Sequence, residues 1–137
     1  MDRCATGRPL ALPQSPIDLA HLSEQTLGDR HLQRELLCLF SAQSPSLLAQ
    51  MRALGQEEVG ALNDLAHRLK GSARAIGAFR VAVAAETLES HVPMDGRRAP
   101  LAALAEALEE AMAAIESYLQ AWEAWAPGAP PGGAVGS

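Results

Sequence analysis

His67, Lys70 and Gly71 stand close together in "AHRLKGSARAIGAF", Ala66 to Phe79, a stretch whose apolar spacing is helical. The chemistry that fits them is nucleophilic. A free imidazole has a pKa of about 6.5, so an exposed one is largely neutral near pH 7 and keeps a lone pair. Such a ring accepts a phosphoryl group without a general base. A lysine one turn along would favour the phosphorylated state and the transition states on either side of it. A glycine in mid-helix costs roughly 1 kcal/mol relative to alanine, and its missing side chain lets another protein's backbone or a phosphoryl group come close. Ser72 offers a hydroxyl or bonds back to its own helix. No phosphate-cradling glycine loop, acidic magnesium cluster or nucleotide motif accompanies them, so the chain can carry a phosphoryl group but is unequipped to drive its transfer alone.

These residues need a helix to present them. At 100° per residue from Leu62, the residues Val59, Leu65, Ala66, Leu69, Ala73 and Ile76 fall within about 60° and form the core face. His67 falls at about 140° and Gly71 at about 180°, with Asp64 and Arg74 nearby, on the side turned to solvent. Lys70 and Gly71 follow His67 by one turn; Asn63 and Asp64 precede it by one. Asn63, Asp64 and Arg74 are candidates for a docking surface around the nucleophile, each against the plainer reading of a solvated residue.

The rest of the chain supplies more helices. "SPIDLAHLSEQTLG" reads as a short helix with Pro16 in its first turn and Gly28 as its stop. A second begins after the cap Asp29 and carries Leu32, Leu36, Leu37, Phe40, Leu47, Leu48 and Met51 on both sides of Pro45, so it is read as one kinked helix. The third runs from about Gln56 to Ile76. A fourth, Ala78 to about His91, buries Ala78, Val81, Ala85 and Leu88. "VPMDGRR" is a turn, and a fifth helix spans Ala99 to about Trp125 with Leu101, Leu104, Leu108, Met112, Ile115, Leu119 and Trp122 as its stripe. The expected fold is all-α, an up-and-down four-helix bundle with a short extra N-terminal helix.

With 137 residues, 14.4 kDa and only 4% aromatics, the chain fits one domain. Residues 1–15 and 127–137 are rich in Pro, Gly and small residues and are expected to be flexible tails around a domain at 16–126. The net charge of -5 argues against nucleic acid or an anionic membrane as partner. No apolar run approaches the roughly 18 to 20 residues of a membrane span, and the N-terminus is not a secretory signal. Two cysteines make no disulfide framework, so a cytoplasmic setting is the simple reading. Cys38 is expected in the core and Cys4 in the tail. His21, His31 and His91 form no metal-ligand spacing and are expected at the surface. Trp122 and Trp125 read as packing, with contact to a partner the lesser alternative.

The pattern His67, Lys70, Gly71, Ser72, Ala73, with Gly77 and Ala78 opening the next helix, resembles that of the histidine-containing phosphotransfer (HPt) domains of bacterial phosphorelays. "VAVAAETLE" resembles the family's fourth helix and "LLCLFSAQSPSLLAQMRAL" its second. The resemblance runs from Pro16 to Trp125. It implies that His67 is the phosphoryl-accepting residue, exchanging the group with aspartates of receiver domains, on response regulators or hybrid histidine kinases. Those receivers would supply the magnesium, so no cofactor is expected in this chain, nor enzyme activity of its own. It also implies a mostly apolar docking patch around the histidine. In the dimerisation helix of a histidine kinase an acidic residue directly follows the histidine; here Arg68 does. The expected function is a monomeric phosphocarrier of a two-component phosphorelay. The alternative is an adaptor of the same fold that regulates a kinase or receiver without being phosphorylated.

Overall fold

The computed structural model describes residues 15–91 and 96–125. Among them every regular element is helical: α1 (Leu19–Gln25), α2 (Arg30–Ala53), α3 (Val59–Ile76), α4 (Phe79–His91) and α5 (Arg98–Trp125). The expected tails lie outside the described residues but for Ser15, as do Cys4, residues 92–95 of the turn and the side chains of His91 and Trp125. None of the described helices is long and apolar enough to cross a membrane.

Local chemistry explains the boundaries. Asp18 caps α1, its carboxylate accepting from the His21 amide at 3.1 Å, so the helix starts after Pro16 rather than around it. Leu27 and Gly28 follow with φ of 55° and 78° and end it. Asp29 caps α2 through the Leu32 amide at 3.1 Å, as its position predicts. The helix runs unbroken through Pro45. A proline inside a helix costs about 3 kcal/mol, but Leu37, Phe40, Leu47, Leu48 and Met51 on either side are all buried. Each contributes about 1.5–3 kcal/mol on burial, so burial wins. The third helix begins at Val59, later than Gln56, because Leu54 leaves α2 in an extended conformation and the Glu58 carboxylate turns back to the Gly55 amide at 2.7 Å.

Each long helix packs on its neighbours in sequence, α2 on α3, α3 on α4 and α4 on α5, and α5 returns to α2. The α3–α4 pair is the most intimate. The core faces predicted for α3 and α4 are buried at Leu62, Leu65, Ala66, Leu69, Ala73 and Ile76 and at Ala78, Val81, Ala85 and Leu88. Three apolar residues depart from expectation. Val59 is 46% exposed, at the free first turn of α3, and Leu32 is 39% exposed on the flank of α2. Cys38, expected in the core, is exposed, because it follows Leu37 by 100° and the core of α2 lies on the Leu37, Phe40 and Met51 side. On α5 the buried set passes from Leu108 to Ala111 and Ile115, leaving Met112 and Leu119 half-buried. The buried set keeps the 3-4 spacing of Leu101, Leu104 and Leu108, and Met112 stands one residue, about 100°, past Ala111.

Buried polar side chains tie the short helix to the rest. Gln33, 6% exposed, donates to the Thr26 hydroxyl at 3.1 Å and accepts from the Tyr118 hydroxyl at 3.1 Å, linking the end of α1 to α2 and α5. Trp122 lies under the Arg30 guanidinium, 4.4 Å from its ring centre, and so packs within the chain. The Arg97 guanidinium donates to the Leu54 carbonyl, where α2 ends. The Ser44 hydroxyl is buried without a hydrogen-bond partner among the described residues; nothing in the structure explains it.

The α3–α4 turn is set by Gly77, at φ 83°. Its amide and that of Ala78 return to the carbonyls of Arg74 and Ala73, closing the last turn of α3. The Asp18 amide bonds to the Gly77 carbonyl at 2.9 Å. A Cβ on residue 77 would stand 2.6 Å from the Asp18 carbonyl oxygen. Replacing Gly77 by alanine combines left-handed strain of about 1–2 kcal/mol with a backbone clash. Gly77→Ala should therefore lose at least about 2 kcal/mol of stability in urea unfolding; a loss below about 0.5 kcal/mol would show that α1 is free to move away from the turn.

Candidate functional site

The α3 face that carries the predicted cluster lies along α4. His67 stands in mid-helix with 67% of its side chain exposed, and Gly71 is exposed one turn on. A Cβ at Gly71 would meet nothing within 4 Å. Nothing inside the molecule requires a glycine there, in contrast to Gly77. The open surface beside the imidazole is available to something outside the chain.

His67 and Lys70 do not stand apart as two independent groups, as their spacing alone suggests. Both reach across to Glu89 of α4. The His67 Nδ1 lies 2.6 Å from Glu89 Oε2, and the Lys70 Nζ lies 2.6 Å from Glu89 Oε1. Lys70 is only 14% exposed in this position, so its ammonium does not wait in solvent. It lies along the seam, with its stem against the helices. The His67 Nε2 has no protein partner among the described residues. Further along the same seam Arg74 meets Glu86 at 3.6 Å, with both side chains about half exposed; such a pair contributes little to stability.

The remaining predicted residues divide. Asn63, half-buried, and Asp64, exposed, lie one turn before His67 on the same exposed flank. Arg74 is drawn toward Glu86. Ser72 falls on the opposite flank of α3 from Lys70, about 160° away around the axis, and takes no part. His21, expected at the surface, is half-buried: its Nε2–H donates to the Arg74 carbonyl at 2.8 Å, and its ring meets Phe79 edge to face at 4.9 Å. It ties α1 to the end of α3. His31 is exposed beside Trp122. No group of three or more His, Cys, Asp or Glu among the described residues is placed to hold a metal ion.

Glu89 is the residue that motif reasoning does not single out. A signal for it exists. His67 and Glu89 lie at nearly equal chain distances on either side of Gly77, and residues equidistant from a tight helical turn stand level with each other. Glu86 and Glu89 also share one face of α4, just as Lys70 and Arg74 share one of α3.

The electrostatics follow from these contacts. The Lys70 ammonium bonded to Glu89 holds its carboxyl below the usual value of 4.5, against partial desolvation and with help from His67. Its charge is thus secured at neutral pH. A carboxyl whose pKa is lowered by folding contributes stability above its unfolded value, and loses it as pH falls through the lowered folded value. The stability difference between the wild type and Glu89→Gln should therefore be constant above about pH 5.5 and shrink on acidification below about pH 4.5. Thermal unfolding across this range checks it; a pH-independent difference would mean that Glu89 is not paired as an anion.

An imidazole at this exposure cannot exclude water or enclose a substrate. It presents one ring nitrogen outward, holds the other on an ionised carboxylate, and has bare helix surface beside it. Such a group reacts only with what another molecule brings to it. Compared with known protein families, the chain matches the Hpt domain over residues 35–123. No curated protein and no solved structure gives a significant match. The match leaves α1, the start of α2 and the last two residues of α5 outside, and takes in the helices between with His67, Lys70, Gly71 and Glu89. Spanning well over half of the sequence, it shows that the chain belongs to the Hpt domain family, the domains of histidine phosphotransfer.

Proposed function

We propose that the chain is a phosphocarrier, accepting a phosphoryl group on His67 from an aspartyl phosphate of one receiver domain and passing it to the aspartate of another. The observation that carries this reading is the imidazole itself: 67% exposed, held at Nδ1 by Glu89, and bordered by a glycine with open space around it. In transfer, a ring-nitrogen lone pair forms the N–P bond as the P–O bond of the acyl phosphate breaks, and the electron pair stays with the aspartate carboxylate. Return transfer reverses these steps. The receiver brings its own acidic site and magnesium. The chain brings the nucleophile, the cation of Lys70 and a surface that admits the receiver. Asn63, Asp64 and Arg74 border that surface, and Gly71 provides the clearance. The neighbour order of α2 to α5 supports an up-and-down four-helix arrangement with α1 as the extra helix, which leaves the α3–α4 seam open to a partner.

The reading is tested by mixing the chain with a phosphorylated receiver and magnesium and following acid-labile phosphate. Wild type should become labelled and His67→Gln should not. Label in neither would leave the adaptor role as the function of this fold, and equal label in both would contradict His67 as the accepting residue. Gly71→Leu should keep the helical circular dichroism of the wild type, because no neighbour lies within 4 Å of a Cβ there. It should weaken receiver binding by about tenfold or more, about 1.4 kcal/mol; unimpaired binding would contradict the role given to the glycine.

A further inference from the structure

We infer that the segment Arg8 to Gln14, "RPLALPQ", seats in the apolar groove between α2 and α5, with Leu10 and Leu12 in the groove and Arg8 against its acidic rim. No residue of this groove belongs to the α3–α4 seam, so the seating of the segment is independent of phosphoryl transfer.

The groove follows from the way α2 meets α5. Of the neighbouring pairs of long helices, these two pack most loosely. Ser41, Met112, Ile115 and Leu119 line one part of the cleft. Pro45, Leu48, Leu108 and Met112 line the part that continues toward Arg52. The floor is apolar: Leu48, Leu108 and Ile115 are buried, Met112 and Leu119 half-buried. Glu109 and Glu116 stand exposed on the α5 rim. Neither enters an ion pair among the described residues. Apolar surface of this kind gains when a partner removes it from water.

Reach and conformation select the segment. The described chain starts at Ser15, which lies with Ile17 against Ala114, Ile115 and Tyr118 of α5. Ile115 also lines the groove. The Ser15 hydroxyl donates to the Ile17 carbonyl at 2.7 Å, which fixes the chain where it arrives. Ala114 and Tyr118 lie on one flank of α5, and Met112, Glu116 and Leu119 on the other. Rounding a helix about 10 Å across takes about three extended residues, which brings Leu12 to Leu119 and Met112. Pro9 and Pro13 have fixed φ, and they hold Arg8 and Leu12, the residues before them, extended. In an extended stretch Arg8, Leu10 and Leu12 point to one side and Ala11 to the other. Arg8 then falls about 13 Å beyond Leu12. That matches Glu109, which lies about 10 Å along α5 from Glu116.

Charge separates this occupant from the others. Residues 1–14 bring Arg3 and Arg8 against the single acid Asp2. Residues 126–137 carry no charged side chain and offer nothing to the rim glutamates. A second copy docked through the same face presents two rim glutamates for one arginine, Arg52, and adds negative charge where it already prevails.

The full chain provides the test. In a NOESY spectrum the Leu10 and Leu12 methyl groups of wild type should give cross-peaks to the Met112 and Leu119 side chains. The double substitution Leu10→Asp/Leu12→Asp lies outside the five helices and should leave a folded bundle. It should abolish the cross-peaks and lower the midpoint of thermal unfolding by about 4 °C or more. Arg8→Glu should lower the midpoint by less, and added salt should shrink its difference from wild type. Labelling of His67 by a phosphorylated receiver should stay within about twofold of wild type in these variants, as for distant, independent sites. Absence of the cross-peaks, or an unchanged midpoint in the double variant, would overturn the inference. Cross-peaks found only between isotope-labelled and unlabelled chains would overturn it as well, since the segment would then seat on a second copy. A wild type that takes no phosphoryl group would overturn the carrier reading alone.

Discussion

The Asp18 carbonyl lies where a side chain on residue 77 would have to be, and the Asp18 amide bonds to the Gly77 carbonyl. This close backbone approach ties α1 to the turn between α3 and α4. The turn in turn fixes the register of the two helices, and the register decides which α4 side chain stands level with His67. Sliding α4 by one residue would rotate Glu89 by 100° around its axis and take its carboxylate off the seam. The site is assembled by a contact at the far end of the hairpin, with His21 adding a second tie through the Arg74 carbonyl.

Along the seam itself, exposure decides which charges matter. Arg74 and Glu86 are half exposed and 3.6 Å apart, a pair that solvent and salt largely screen. Lys70 and Glu89 are far less exposed and in contact, and Glu89 also holds one nitrogen of the imidazole. The ring is otherwise open, with 67% of the side chain exposed. The helix surface next to it is bare at Gly71. The result is a polarised group, ordered on the side of the protein and open on the other, which suits a nucleophile whose substrate arrives attached to a second macromolecule.

Much of this was legible in the sequence because it depends on local rules. Apolar spacing identifies all five helices and the core faces of α3 and α4, Asp29 announces a cap, and Gly77 marks a turn. His67 and Gly71 are recognisable as exposed from their angles alone. What periodicity does not convey is the pairing of one helix with another. It set Lys70 one turn from His67 but not against a partner on α4 that draws it inward, and it passed over Glu89, which stands opposite His67 across a turn. Cys38 shows the same limit in the core: an apolar run says that a helix packs, while one residue's rotation of 100° separates the packed Leu37 from an exposed thiol. On α5 the same one-residue rotation separates the buried Ala111 from the half-buried Met112: the larger apolar side chain is not the one on the stripe.

The proposed function turns on a single atom, the ring nitrogen of His67 that Glu89 does not hold. The most direct measurement is phosphorus-31 and nitrogen-15 NMR of the chain after it has been charged by a phosphorylated receiver. A phosphoramidate with phosphorus coupled to the Nε2 of His67 is the predicted result. Phosphorus on Nδ1, on another residue, or on no residue of the chain would contradict it.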